Sequence, residues 1–265
     1  MVEQQEVARK RRRGIYLLPN LFTTAAMFAG FYAIVAAINE RFEPAAVSIF
    51  VAMILDGMDG RIARLINAQS AFGAEYDSLS DMVSFGLAPA LVMYLWALAD
   101  LGKAGWLAAF LYATMAGLRL ARFNTQVGVA DKRYFQGLPS PSAAALVAGM
   151  VWIGNEGELR GAGAVVTVCF GITVIAALLM VSNIRYHSFK ELDLKGKVPF
   201  FRVLLVVLVF VFVFVNPSLN LFLVFAAYAA SGPVLTLMYL RRRRAARRAI
   251  AGSDQGAGPP GPGST

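Results

Sequence analysis

Long apolar stretches, each closed by a short polar or glycine-bearing interval, repeat down the whole chain. Eight are wide enough to read as bilayer-crossing helices: residues 19–39, 44–66, 73–99, 104–123, 139–155, 161–182, 199–216 and 218–240. The fifth is short and the third opens on polar residues, so six or seven spans also fit the pattern. The reading is an all-α, polytopic transmembrane helical bundle. It occupies residues 17–240, with a basic segment at 1–16 and a tail at 241–265 that begins basic and, Gly/Pro/Ser-rich from Gly252, is expected to be disordered.

Composition agrees. Of the 265 residues 58% are hydrophobic and only 15% charged, where soluble domains run to about 25% charged. The net charge of +9 invites a nucleic-acid reading, but its distribution argues for a membrane. Threading eight spans with the N-terminus in the cytoplasm leaves only Arg41, Lys103 and Arg160 outside; the other 22 of the 25 Lys and Arg fall inside. That asymmetry follows the positive-inside rule and puts both termini in the cytoplasm. The basic start and first apolar run resemble a signal peptide, but with seven more spans following they read better as a retained helix. Cys169, the single cysteine, lies mid-span as a small apolar residue.

Four aspartates break the apolar pattern. They stand in Asp56-Gly57-Met58-Asp59-Gly60-Arg61-Ile62-Ala63-Arg64 and Gly73-Ala74-Glu75-Tyr76-Asp77-Ser78-Leu79-Ser80-Asp81. Asp56 and Asp59 are i,i+3 at the cytoplasmic end of the second span, and Asp77 and Asp81 are i,i+4 on the third, so each pair shares a helix face. A turn near Gln69–Phe72 folds the faces together. Four clustered carboxylates need a counter-charge, and hard divalent cations such as Mg²⁺ or Mn²⁺ take oxygen ligands. Two ions about 3.5–4 Å apart suit in-line phosphoryl displacement. Gly60 and Ala63 keep the motif helix open to a ligand or a neighbouring helix, Gly57 has the same packing role, and Gly73 permits a tight turn. Arg64 is placed to hold a phosphate or the third-span carboxylates. A proton or solute carrier also uses intramembrane acids, but spreads them across the membrane depth.

The spacing D-x2-D-G-x2-A-R-x8-G-x3-D-x3-D resembles the CDP-alcohol phosphotransferase family at every fixed position. Leu17–Thr24, Arg119–Asn124 and Phe135–Pro141 resemble its bacterial membrane-integral phosphatidylserine synthase subgroup. The resemblance implies that Asp56 and Asp77 bridge two metals, Asp59 completes the first and Asp81 the second, with Asp81 also the general base. It implies that Gly60, Ala63, Arg64 and Ser70 contact CDP-diacylglycerol, and that Asn20 and Thr23 reach its cytidine-diphosphate portion. It further implies transfer of the phosphatidyl group to L-serine, a homodimer, and a site facing the cytoplasm at a bacterial inner membrane.

The acceptor alcohol is less constrained by the residues themselves. A zwitterion such as serine asks for about one guanidinium; Arg119 and Arg122, with Lys132 and Arg133, are the candidate cations. By charge count a phosphorylated acceptor such as glycerol 3-phosphate or inositol phosphate stays open, and the subgroup resemblance selects serine. Pro139 and Pro141 shape the entry to the fifth span, with Ser140 and Ser142 as caps. Glu75 and Tyr76 flank the carboxylate face, His187 reads as an interfacial residue, and Trp96, Trp106 and Trp152 as interfacial aromatics.

Overall fold

A computed structural model describes residues 17–126, 134–187 and 200–256. Among these, eight helices follow the predicted stretches closely. They are α1 (Leu17–Ile38), α2 (Phe42–Leu65), α3 (Ala71–Leu101), α4 (Lys103–Gln126), α5 (Ser140–Glu156), α6 (Gly163–Val181), α7 (Phe200–Val215) and α8 (Pro217–Gly256). Five of them, α1, α3, α4, α6 and the Pro217–Met238 part of α8, are long and apolar enough to cross a membrane. The chain is an integral membrane protein. Of the other three, α5 and α7 have only 17 and 16 residues, and α2 carries the charged motif in its second half.

Two features depart from the predicted layout. A two-stranded antiparallel ribbon joins β1 (Tyr134–Gln136) to β2 (Arg185–His187), pairing Gln136 with Arg185. Three-residue strands leave no periodic signal to read. The last helix also runs through Arg241–Arg248 to Gly256, five residues into the stretch whose composition suggested an unstructured tail.

Small residues let the helices approach. The buried core is rich in alanine, including Ala26, Ala33 and Ala37 of α1 and Ala45, Ala46 and Ala52 of α2, the pattern expected where van der Waals contact must supply helix association. At Gly30 an added Cβ would lie 2.6 Å from Cα of Ser84, so α1 and α3 touch backbone to backbone. Ser84 and Ser80, one turn apart on α3, donate to the carbonyls of Ala26 and Thr23 at 3.0 and 3.1 Å. Just beyond Asp81, α3 widens into a π turn at Met82–Leu87. Trp96 does not sit in an interfacial belt. It is buried, its ring filling the space that Gly154 of α5 leaves by having no side chain.

The α1–α2 and α5–α6 connections meet at the opposite end from the aspartates. There Arg160 pairs with Glu40 at 3.6 Å, stacks over Phe42 and donates to the Leu95 carbonyl. At the aspartate end, α2 closes through Asn67 in the left-handed region (φ 51°), with Ala68 N–H reaching back to the Ala63 carbonyl at 2.8 Å; asparagine is among the few residues that take this position readily. Ser70 then caps α3 by accepting from Gly73 N–H at 3.0 Å. The turn therefore occupies 66–70, slightly earlier than predicted.

Tyr186 joins the ribbon to α8. Pro233 has no N–H to give the carbonyl of Ala229 four residues back, and Tyr186 Oη donates to that carbonyl at 2.9 Å. Gly232 makes room: a Cβ there would lie 2.4 Å from the Tyr186 ring. Burial, with Tyr228 adding to it, pushes the Tyr186 phenol up to about 12, so it stays a donor. Tyr186→Phe leaves the Ala229 carbonyl without a partner and is expected to cost about 1–3 kcal/mol. A lowered melting temperature of purified protein in detergent checks it; an unchanged one counts against the joint.

Candidate active site

The antiparallel run of α2 into α3 brings the two aspartate pairs face to face. Asp56, Asp59 and Asp77 each offer a carboxylate oxygen, all within 4.8 Å of one another. Asp81 joins them, close enough to Asp56 for their charges to interact. Asp59 is buried and held from α1: Thr23 Oγ1 donates to its Oδ2 at 2.7 Å, and also lies 3.2 Å from the Pro19 carbonyl. Thr23 is itself buried, and its own carbonyl accepts from Ser80, so a single residue ties α1 to both motif helices.

These groups fit a divalent cation. The cluster is all carboxylate oxygen, the donor set that Mg²⁺ and Mn²⁺ take. Asp81 Oδ1 is buried and has no hydrogen-bond partner, and Asp56, Asp59 and Asp81 make no ion pair with a described residue. Carboxylates buried this way cost several kcal/mol each unless a cation answers them.

Beside the cluster lies a cleft of about 380 Å³, open at the aspartate end of the bundle. Asn20 and Thr23 of α1, Gly60, Ala63 and Arg64 of α2, Ser70 at the turn and Asp59 and Asp77 all line it. Gly60 has open space where a Cβ would go, so any side chain there would project into this volume. Arg64 Nε donates to the Gly60 carbonyl at 2.9 Å. Gly57 also has no atom within 4 Å of an added Cβ, so it serves no packing contact among the described residues. Pro19, Ala68, Gln69, Gly73 and Ala74 complete the lining. Gln69 escaped notice because a lone glutamine in a turn carries no pattern.

The candidate acceptor cations part company. Arg119 sits close enough to Asp81 for their charges to interact. Its Nη1 donates to Ser140 Oγ at 2.8 Å, while its Nε is buried with no partner. Arg122 is engaged elsewhere: Nη1 donates to the Val181 carbonyl at 3.2 Å, and Nη2 to Gln136 Oε1 at 2.6 Å and Asn183 Oδ1 at 2.7 Å. Lys132 and Arg133 lie outside the described residues, as does the side chain of His187. Ser140 is not the cap of α5, because Pro139 holds that position and the Ser140 hydroxyl is taken by Arg119. Two further contacts at the aspartate end were not foreseen. Asn124 Nδ2 donates to Ser78 Oγ at 3.0 Å, and Tyr76 meets Thr24, hydroxyl to hydroxyl, at 2.9 Å.

The fold and the cluster together define an integral membrane protein with a carboxylate centre suited to a divalent cation, opening beside a cleft. The sequence profile described as CDP-alcohol phosphatidyltransferase matches residues 16–181, and the chain belongs to that family. It is similar to the CDP-diacylglycerol–serine O-phosphatidyltransferase of Helicobacter pylori (strain J99), 39% identical over 196 residues that cover 74% of this chain and 82% of that protein. The proteins of the same name from Mycobacterium tuberculosis (strain H37Rv) and Saccharomyces cerevisiae are also similar. They are 43% identical over 148 residues (53% of this chain, 51% of that protein) and 38% over 144 (49% and 51%).

The Thr23–Asp59 contact supplies a direct test. Thr23→Val keeps the shape and removes the donor, and is expected to weaken Mn²⁺ binding about 10- to 100-fold. Titration of Mn²⁺ by electron paramagnetic resonance on the folded variant reads this, and wild-type affinity would count against a role for Thr23 in holding Asp59.

Proposed function

We propose that this chain transfers the phosphatidyl group of CDP-diacylglycerol to the hydroxyl of L-serine, giving phosphatidylserine and CMP. Family membership and the similarity to three proteins named CDP-diacylglycerol–serine O-phosphatidyltransferase support the reaction. The observation that carries the chemistry is the pair of buried, unpartnered polar atoms Asp81 Oδ1 and Arg119 Nε, on side chains whose charges interact.

The roles follow. Asn20, Thr23, Gly60, Ala63, Arg64 and Ser70 form the cleft that takes the nucleotide-lipid head, with Arg64 facing its phosphates. Arg119 presents its side-on edge, of which Nε is one half, to the acceptor carboxylate; a planar guanidinium pairs with that group bidentately. Asp81 accepts the proton of the serine hydroxyl. The hydroxyl oxygen bonds to the phosphorus bearing diacylglycerol, and the phosphoanhydride bond to CMP breaks. Two divalent cations, Mg²⁺ or Mn²⁺, held by Asp56, Asp59, Asp77 and Asp81, would neutralise phosphate oxygens and charge on the departing CMP.

The same reading supplies the setting. Eight spans with both termini and the cleft in the cytoplasm satisfy the Lys/Arg asymmetry. The membrane is a bacterial inner membrane, and the assembly a homodimer, as the family resemblance implies.

The test is CMP release by purified protein from CDP-diacylglycerol with Mg²⁺ or Mn²⁺, acceptors supplied one at a time. Release with L-serine alone, and a phosphatidylserine product by mass spectrometry, is expected. Release only with a phosphorylated alcohol overturns the acceptor, and none with any acceptor returns the chain to the carrier reading. Chelation by EDTA is expected to abolish turnover and added Mn²⁺ to restore it. Asp81→Asn is expected to lose turnover by at least about 100-fold while CDP-diacylglycerol still binds; turnover near wild type removes Asp81 from the proton transfer.

A further inference from the structure

Arg122 was a candidate ligand for the acceptor, but its hydrogen bonds point away from the carboxylate cluster. Both protons of Nη2 are accounted for by Gln136 and Asn183, and Nη1 reaches the Val181 carbonyl. None of the three partners is an acid, so the guanidinium is bound as a fork among neutral oxygens. They belong to three different places: the end of β1, the end of α6 and the link from α6 to β2.

Those places form one strap. From Gln136 the chain passes through Gly137, in the left-handed region at φ 78°, where an added Cβ would collide with the Met180 carbonyl. Gly137 N–H donates to the Ile184 carbonyl and Leu138 N–H to the Leu179 carbonyl, both at 2.9 Å. Two residues later the strap delivers Ser140, fully buried, whose hydroxyl receives Arg119. Arg119 and Arg122 lie one turn apart on α4. One grips the strap and the other rests on what the strap carries.

We propose that Arg122 is a positioning residue for acceptor recognition: it fixes the strap, the strap fixes Ser140, and Ser140 sets the direction in which Arg119 offers its free edge. The inference rests on the serine-transfer reading above and deepens it by separating the roles of the two arginines. Arg119 contacts the acceptor; Arg122, Gln136 and Asn183 act on it only through Ser140. A guanidinium already committed to three oxygens has few donors left for a substrate anion, whereas one with a buried orphan nitrogen lacks a partner.

The experiment is steady-state CMP release by the full chain, with L-serine and CDP-diacylglycerol varied in turn, for wild type, Arg122→Gln, Gln136→Ala, Asn183→Ala, Ser140→Ala and the Arg122→Gln/Asn183→Ala pair. Loosening the strap is expected to raise the serine KM roughly 10- to 100-fold, with the CDP-diacylglycerol KM within about twofold. The double variant should be no worse than Arg122→Gln alone, because members of one network are not additive. If Arg122→Gln fails to fold, the two neutral alanine variants carry the same prediction. A raised serine KM in Arg122→Gln with wild-type behaviour in Gln136→Ala and Asn183→Ala overturns the inference, since Arg122 would then be touching serine itself. Equal loss of kcat with both KM values unchanged also overturns it, leaving the strap a merely structural support. Wild-type protein that releases no CMP with serine sinks the underlying reaction instead, a result readable before any variant is made.

Discussion

Charge inside an apolar medium is the constraint around which this molecule is arranged. A carboxylate at the centre of a membrane helix costs roughly 2.5–3.5 kcal/mol even on insertion scales, and this chain gathers four aspartates between residues 56 and 81. It meets that cost by confining them to one end of the bundle and facing them across an antiparallel helix pair. Thr23 also steadies Asp59 from a third helix. The alanine-rich contacts of α1 and α2, and the bare approach at Gly30, serve the same end, because carboxylates on separate helices converge only if the backbones come close.

The second consequence of low dielectric is selectivity in how arginines are used. An arginine away from water must have its donors met, and the neighbourhood decides by what. Arg122 finds a carbonyl and two side-chain amides. Arg119, one turn earlier, finds a hydroxyl on one side and nothing for Nε on the other. The contrast comes from the strap between α4 and α5, and neither residue differs from the other in sequence.

That contrast also marks how far the sequence can be read. The helices were legible because burial in lipid leaves long apolar runs whose ends are polar, and α1, α4 and α6 begin and end within a few residues of expectation. The aspartate motif was legible because i,i+3 and i,i+4 spacings translate directly into a shared face. What stayed hidden depends on contacts between distant segments. The ribbon is too short for a period. Trp96 looked interfacial until Gly154 from another helix proved to be its seat. Ser140, beside two prolines, looked like a cap because nothing local announces an arginine 21 positions away.

Ala229 offers a single acceptor with two natural claimants, the backbone four residues on and the hydroxyl from the ribbon. Proline at 233 removes the first, and the second becomes structural. The two sites therefore depend on each other: restoring an N–H at 233 would make the phenol redundant, and losing the phenol would make proline a liability. A chimera that replaced α8 with a helix lacking this proline, and left the ribbon in place, would disturb this arrangement even if every active-site residue were kept.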